Sequence, residues 1–161
     1  MTDQLQVVDQ RGLWYEELEV GVTYRHAPGR TFSEADNTTF STLTMNMQAL
    51  HLDAAYAKGT EFGERLINSL LTMSVVVGLS VGHLTQGTLV ANLGFADVAF
   101  PHPAKAGDTI YAETQVQSKR LSTSRPGQGI VNFRHIGKNQ DGQLVAVISR
   151  ASLLRCSPGG R

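Results

Sequence analysis

Few side chains in this chain can carry chemistry. They include five histidines, His26, His51, His83, His102 and His135, and a single cysteine, Cys156. An imidazole is the side chain best suited to moving protons near neutral pH, because its unperturbed pKa lies near 6.5. No two histidines stand at a metal-binding spacing and none has a cysteine neighbour, so no metal site is expected. His102, held between Pro101 and Pro103, and His135, inside a strand-like stretch, read as structural or surface residues. His83 follows a glycine just past an apolar helix, where it would favour the helix dipole. Cys156 adjoins the terminal Ser-Pro-Gly-Gly-Arg and reads as a bystander thiol.

His51 is different. In TMNMQALHLD it stands five residues after Asn46, between one helix and the start of the next. A loop there can aim both side chains into one cavity, giving a proton-transfer imidazole beside an amide that orients water. The spacing equally allows a hydrogen-bonded loop histidine with no catalytic part.

The elements that must position these residues follow from pattern and capping. Ser33 and Asp36 form a capping-box spacing, and Ala35, Phe40 and Leu43 give the helix after them a partial apolar face. A second short helix starts at Asp53, runs through AAYAK and stops at Gly59. The segment LINSLLTMSVVVGLSV is apolar nearly all round and predicts a core helix buried on most sides. The second half reads as strands: TLVANLGFADVAF, TIYAETQVQSKR, GIVNFRHIGKN and QLVAVISRASLL, the last two flanking a turn at Gln140-Asp141-Gly142-Gln143. Helices first and antiparallel strands afterwards indicate an α+β fold, one long helix on a curved sheet. No glycine fingerprint sits between a strand and a helix, which removes nucleotide-binding Rossmann and P-loop folds.

Composition narrows the classes further. At 161 residues the chain reads as one domain, residues 1–161, with polar tails at about 1–10 and 157–161. Fourteen basic residues balance fourteen acidic ones, which argues against a general nucleic-acid partner. The longest apolar region, residues 66–81, is shorter than the ~20 residues of a membrane span and is broken by polar residues. No apolar leader opens the sequence, so a cytoplasmic protein with no membrane partner is expected. Charged residues make up only 17% of the chain, against about 25% in an ordinary domain.

Several of these segments carry a family resemblance. FSTLTMNMQALHLDAAYA, EFGERLINSLLT and FPHPAKAGDTI together resemble the MaoC-like dehydratase or (R)-specific enoyl-CoA hydratase family, over roughly residues 22–154. The resemblance implies a hotdog fold, an antiparallel sheet wrapped around a long central helix. The family motif is an Asp, Asn-Pro two residues on, His five residues after the Asp, then a variable residue and Asp. His51 and Asp53 match it, Asn46 occupies the acidic position, and Gln48-Ala49 replace Asn-Pro. Asn68-Ser69 stand where family members open the core helix with His-Gly. Pro103 with Gly107-Asp108 matches the family's proline and Gly-Asp turn. The Asn-containing pattern, with SRPGQGIV further on, is similar to a subgroup of itaconyl-CoA hydratase-like enzymes.

The resemblance implies a hydro-lyase acting on a 2-enoyl-CoA, with no cofactor, and admits a short branched or dicarboxylic acyl group. His51 would move the proton and Asn46 would hold the water, since an amide is no base at neutral pH. Backbone N–H groups at Asn68 and Ser69, free at a helix start, would meet the thioester oxyanion. Lys119, Arg120 and Arg125 supply positive charge for the CoA phosphates, or simply a solvated hairpin tip. Arg65 would meet a substrate carboxylate. Two alternatives remain: an acyl-CoA thioesterase, disfavoured by the missing carboxylate at position 46, and a degenerate acyl-CoA-binding paralogue. Family members pair sheets edge to edge, so a homodimer or higher homo-oligomer is expected, and the low charge fits surface buried between copies.

Overall fold

A computed structural model describes residues 5–159. The outermost parts of the expected polar tails, residues 1–4 and 160–161, lie outside the described residues. A 3-10 turn at Tyr15–Glu17 precedes two short strands, β1 (Thr23–Arg25) and β2 (Arg30–Thr31). Three helices follow, α1 (Glu34–Leu43), α2 (Ala49–Leu52) and α3 (Ala54–Lys58), then the long α4 (Ser69–Leu84). The second half is four strands: β3 (Leu89–Ala99), β4 (Thr109–Leu121), β5 (Gln128–Lys138) and β6 (Leu144–Arg155). The sheet is antiparallel in the order β1-β4-β5-β6-β3, with β2 pairing on β4, and α4 packs across β4, β5 and β6. This is the α+β arrangement of one helix against a curved sheet.

Local chemistry accounts for the element starts. The Ser33 hydroxyl accepts from the Asp36 N–H at 3.1 Å while the Asp36 carboxylate accepts from the Ser33 N–H at 2.7 Å, closing the capping box. The Ser33 bonds hold the Asp36 carboxyl below its usual range. Asp53 caps α3 through the Tyr56 N–H at 2.9 Å. Between β5 and β6, Asn139 Oδ1 accepts from the N–H groups of Asp141 and Gln143, and Gly142 takes the left-handed φ of +77° that closes the turn.

Two expectations about burial need correcting. α1 does not bury an apolar face: Ala35 and Leu43 are exposed, and its fully buried residues are Asn37 and Ser41. The reason is what it packs on, namely backbone segments whose carbonyls and amides require polar partners. α4 is not buried on most sides either. Thr72, Val76, Ser80 and Leu84 form its buried stripe, while Leu70 is 52% exposed on the other side. His83 lies inside the last turn of α4, not beyond it, with its ring edge-on to Tyr24 and His26.

The interior between α4 and the sheet is stratified. One apolar cluster, including Phe32, Ile67, Val76, Ile110 and Ile148, lies toward the start of α4. The approach is close: a Cβ on Gly137 of β5 would stand 2.4 Å from Val76 Cγ2. A second cluster, with Leu84, Val116, Val131, Phe133 and Leu154, lies toward its end. Between them the inward positions are polar: Ser80, Thr114, His135, Arg150 and Ser152, all buried. The Thr114 hydroxyl bridges His26 Nε2 at 2.8 Å and His135 Nδ1 at 2.9 Å. A single hydroxyl proton serves only one ring, so the other ring must donate to the oxygen. Burial, and then the neighbouring His83, pushes His26 down to about 4. Burial, with Arg150 and His26 adding to it, pushes His135 down to about 3.

Candidate active site

A cavity of about 420 Å³ opens at the N-terminal end of α4. Its wall is assembled from five parts of the chain, Val145 of β6 among them. His51 comes from α2, Leu66 and Ile67 from the following loop, Ser69 and Thr72 from the first turn of α4, and residues 100–104 from the loop after β3.

The turn that delivers His51 begins where α1 ends. Met45 adopts a left-handed φ of 58°, and the Asn46 N–H returns to the Ser41 carbonyl at 2.8 Å. Asn46 Oδ1 then accepts from the Gln48 N–H at 3.3 Å, shaping the entry to α2. His51 Nδ1 lies 2.9 Å from the Leu66 carbonyl oxygen. A carbonyl only accepts, so the proton sits on Nδ1. Neutral His51 therefore keeps a lone pair on Nε2, the state a base requires.

One buried side chain ties these parts together. Asn37 Nδ2 donates to the carbonyls of His51 at 3.1 Å and Leu66 at 3.0 Å, while its Oδ1 accepts from the Asn68 N–H at 2.8 Å. The histidine, the carbonyl that orients it and the cap of α4 thus hang on one amide. Asn68 Oδ1 caps α4 through the Leu70 N–H at 3.0 Å, and its Nδ2 donates to Ser41 Oγ at 3.3 Å.

The residues expected to act together are only partly assembled here. His51 and Ser69 line the cavity; Asn46, Asn68 and Arg65 stand behind or beside it. The backbone N–H of Asn68 is taken by Asn37, whereas that of Ser69 has no part in the capping bonds. Arg65 closes a 2.5 Å ion pair with Glu34 at the start of α1. Lys119 donates to the Tyr15 carbonyl at 3.0 Å and stands 4.8 Å over the Tyr15 ring. Arg120 and Arg125 are exposed around the β4–β5 tip. The 13 residues of β4, at roughly 3.3 Å each, put that tip a sheet's length from the cavity within this chain.

Asn37 and His102 escape sequence reasoning. Asn37 and Ser41 are a polar pair four residues apart on a helix, and that spacing could have marked a polar inward face. His102 reads as structural or surface from its two prolines and is indeed exposed, but that reading gives no sign that it also lines the cavity, with its Nδ1 3.0 Å from the Leu144 carbonyl.

Comparison with known proteins places the chain. The profile of the MaoC like domain matches residues 17–139. The chain belongs to the MaoC-like dehydratase family. A mesaconyl-CoA hydratase from Cereibacter sphaeroides is 28% identical over 89% of this chain and 41% of its own length. An (R)-specific enoyl-CoA hydratase from Aeromonas caviae is 31% identical over 65% of this chain and 75% of its own. Among solved structures, a Mycobacterium tuberculosis protein with a double hotdog fold superposes with a TM-score of 0.82 at 26% identity. It aligns over 93% of this chain and 46% of that one. The fold is the hotdog of this family, and the chain spans less than half the length of several relatives it matches. Among the described residues, no helix is long and apolar enough to cross a membrane.

Proposed function

We propose that this chain is a hydro-lyase of acyl-CoA thioesters, reversibly adding water to a 2-enoyl-CoA to give a 3-hydroxyacyl-CoA. The observation that carries the reading is the pairing of His51 with the opening turn of α4 across one cavity. Nε2 of His51, unprotonated in the neutral ring, takes a proton from water as oxygen bonds to the β-carbon. The π electrons move through the α-carbon to the thioester oxygen. The Ser69 N–H, at the positive end of the α4 dipole, is the donor that meets that developing negative charge. Asn46 contributes no proton; it shapes the turn that presents His51.

Names carried by relatives, such as mesaconyl-CoA hydratase, support a short branched or dicarboxylic acyl group. The exposed apolar residues Leu93, Phe95, Val98 and Phe100, at the β3 edge of the sheet, support a homodimer formed along that edge. A second copy would stand where double-hotdog relatives have their other half. The single cysteine excludes an intrachain disulfide and suits a cytoplasmic setting.

The test is hydration of a panel of short, branched and dicarboxylic enoyl-CoAs, followed as loss of enoyl thioester absorbance. The expected result is turnover by the wild type and a loss of at least about 100-fold in His51→Ala with unfolding unchanged. Thiol release without hydration would replace this reading with a thioesterase. A second reading, a degenerate binding paralogue, is favoured by Asn46 alone. An inert wild type that gains activity in Asn46→Asp would establish it.

A further inference from the structure

The cavity holds a second imidazole that the family motif does not include. Of the described residues that line it, only His51 and His102 carry an ionisable side chain. His102 is unusually constrained for an exposed side chain. Pro101 and Pro103 fix the backbone torsions on either side of it, and the residue before a proline is itself restricted to extended geometry. Its ring is held as well, because Nδ1 meets the Leu144 carbonyl at 3.0 Å across the chain. As with His51, the carbonyl assigns the proton to Nδ1, so Nε2 is the nitrogen that gains and loses a proton.

Surrounding charge leaves this nitrogen free to act. Lys105, on the same loop, is engaged by Glu64 of the facing segment at 2.6 Å, and Arg65 by Glu34 at 2.5 Å. β6 brings only Val145 and Ala146 beside Leu144. Among the described residues no carboxylate lines the cavity, and position 46 is an amide. Hydration nevertheless requires two proton movements, one off water and one onto the α-carbon.

We infer that His102 is the second proton-transfer group of this site, the acid that serves the α-carbon. The inference rests on the hydro-lyase reading above. In the hydration direction, His51 Nε2 accepts a proton from water as the C–O bond forms at the β-carbon. The enolate collapses, its electron pair forming the new C–H bond with the proton leaving His102 Nε2. One water is added, one imidazole gains a proton and the other loses one, and exchange with solvent restores both. Dehydration runs the same steps backwards. Activity therefore requires His51 neutral and His102 protonated at once, which produces a two-limbed pH profile.

The deciding variant is His102→Asn, whose side-chain amide keeps a donor for the Leu144 carbonyl while removing the titrating nitrogen. Expected for the hydration reaction are a bell-shaped wild-type kcat profile, a loss of about 100-fold in kcat in the variant, and disappearance of its alkaline limb. Thermal unfolding of the variant should match the wild type, separating chemistry from folding. A kcat within about threefold of wild type, or an alkaline limb that survives in the variant, overturns the inference. If His51→Ala is inactive while His102→Asn is normal, this inference alone fails. If the wild type hydrates nothing in the panel, both fall together.

Discussion

The two ends of α4 use the same side chain in opposite ways. At the N-terminal end, His51 and His102 line a cavity and are anchored through Nδ1 to backbone carbonyls, which leaves Nε2 outside those bonds. Under the other half of the helix, His26 and His135 are bound to a shared threonine hydroxyl, with the remaining nitrogen of each buried without a partner. Burial holds that second pair far below the ordinary imidazole range and therefore neutral. Under the proposed mechanism, what separates a proton-moving histidine from a framework histidine is access to the unbonded nitrogen. Hydrogen bonding is common to both pairs.

Truncating one histidine of each pair tests this contrast most directly. His51→Ala should lose at least about 100-fold in turnover, about 3 kcal/mol or more of barrier, while its unfolding midpoint holds. His135→Ala should do the reverse, costing about 3 kcal/mol of stability by opening a buried space and stripping Thr114 of a partner. Chemical denaturation of both variants, beside their turnover, checks the crossing.

Asn37→Ala should blur the contrast, since that amide serves both structure and site. It strands two carbonyls and an amide, so a loss of about 2–3 kcal/mol is expected together with a clear drop in kcat. Asn37→Asp retains an acceptor for the Asn68 N–H but not the two donors, and should rescue little.

A smaller effect separates the pairs by pH. His26 and His135 have folded pKa values below the unfolded value near 6.5, so the unfolded chain binds more protons across that interval. Their contribution to stability is complete above pH 6.5. It should fall by up to about 1.4 kcal/mol per pH unit for each, ending near pH 4 for His26 and near pH 3 for His135. Denaturation midpoints at a series of pH values should bend accordingly, and Thr114→Val should shift that bend. The smallest effect is expected from Arg125→Ala, far from the cavity along the sheet: a KM for the CoA substrate within about twofold of wild type. A rise of about tenfold would bring that hairpin into the binding site.

Much of this architecture is legible in the sequence. Ser33 with Asp36, Asp53 with Gly59, and the Asp-Gly turn are local devices, and each element end follows from its own few residues. His51 stands out as a candidate through its motif. Local pattern does not reveal where neighbours from distant segments arrive. Asn37 matters only because the carbonyls of His51 and Leu66 and the amide of Asn68 converge on it across 14, 29 and 31 residues. His102 enters the site because the loop after β3 folds back against the start of β6. The apolar count of α4 points to burial all round, whereas in a single chain its outer face has no second layer to meet.

The strand β3 also bears on self-recognition. It forms the sheet's margin along eleven residues, and its pairing with β6 breaks step at three places, near Leu89, Asn92 and Ala96. Asp97 and Gly94 carry the unusual torsions that go with such breaks, φ of 47° and 155°. A straight margin would accept almost any extended peptide, which is how sheets polymerise. An irregular one matches only a partner with the same contour. In the proposed dimer the irregularities act as a lock, discouraging open-ended stacking while leaving one well-fitting complement: another margin built from this same sequence.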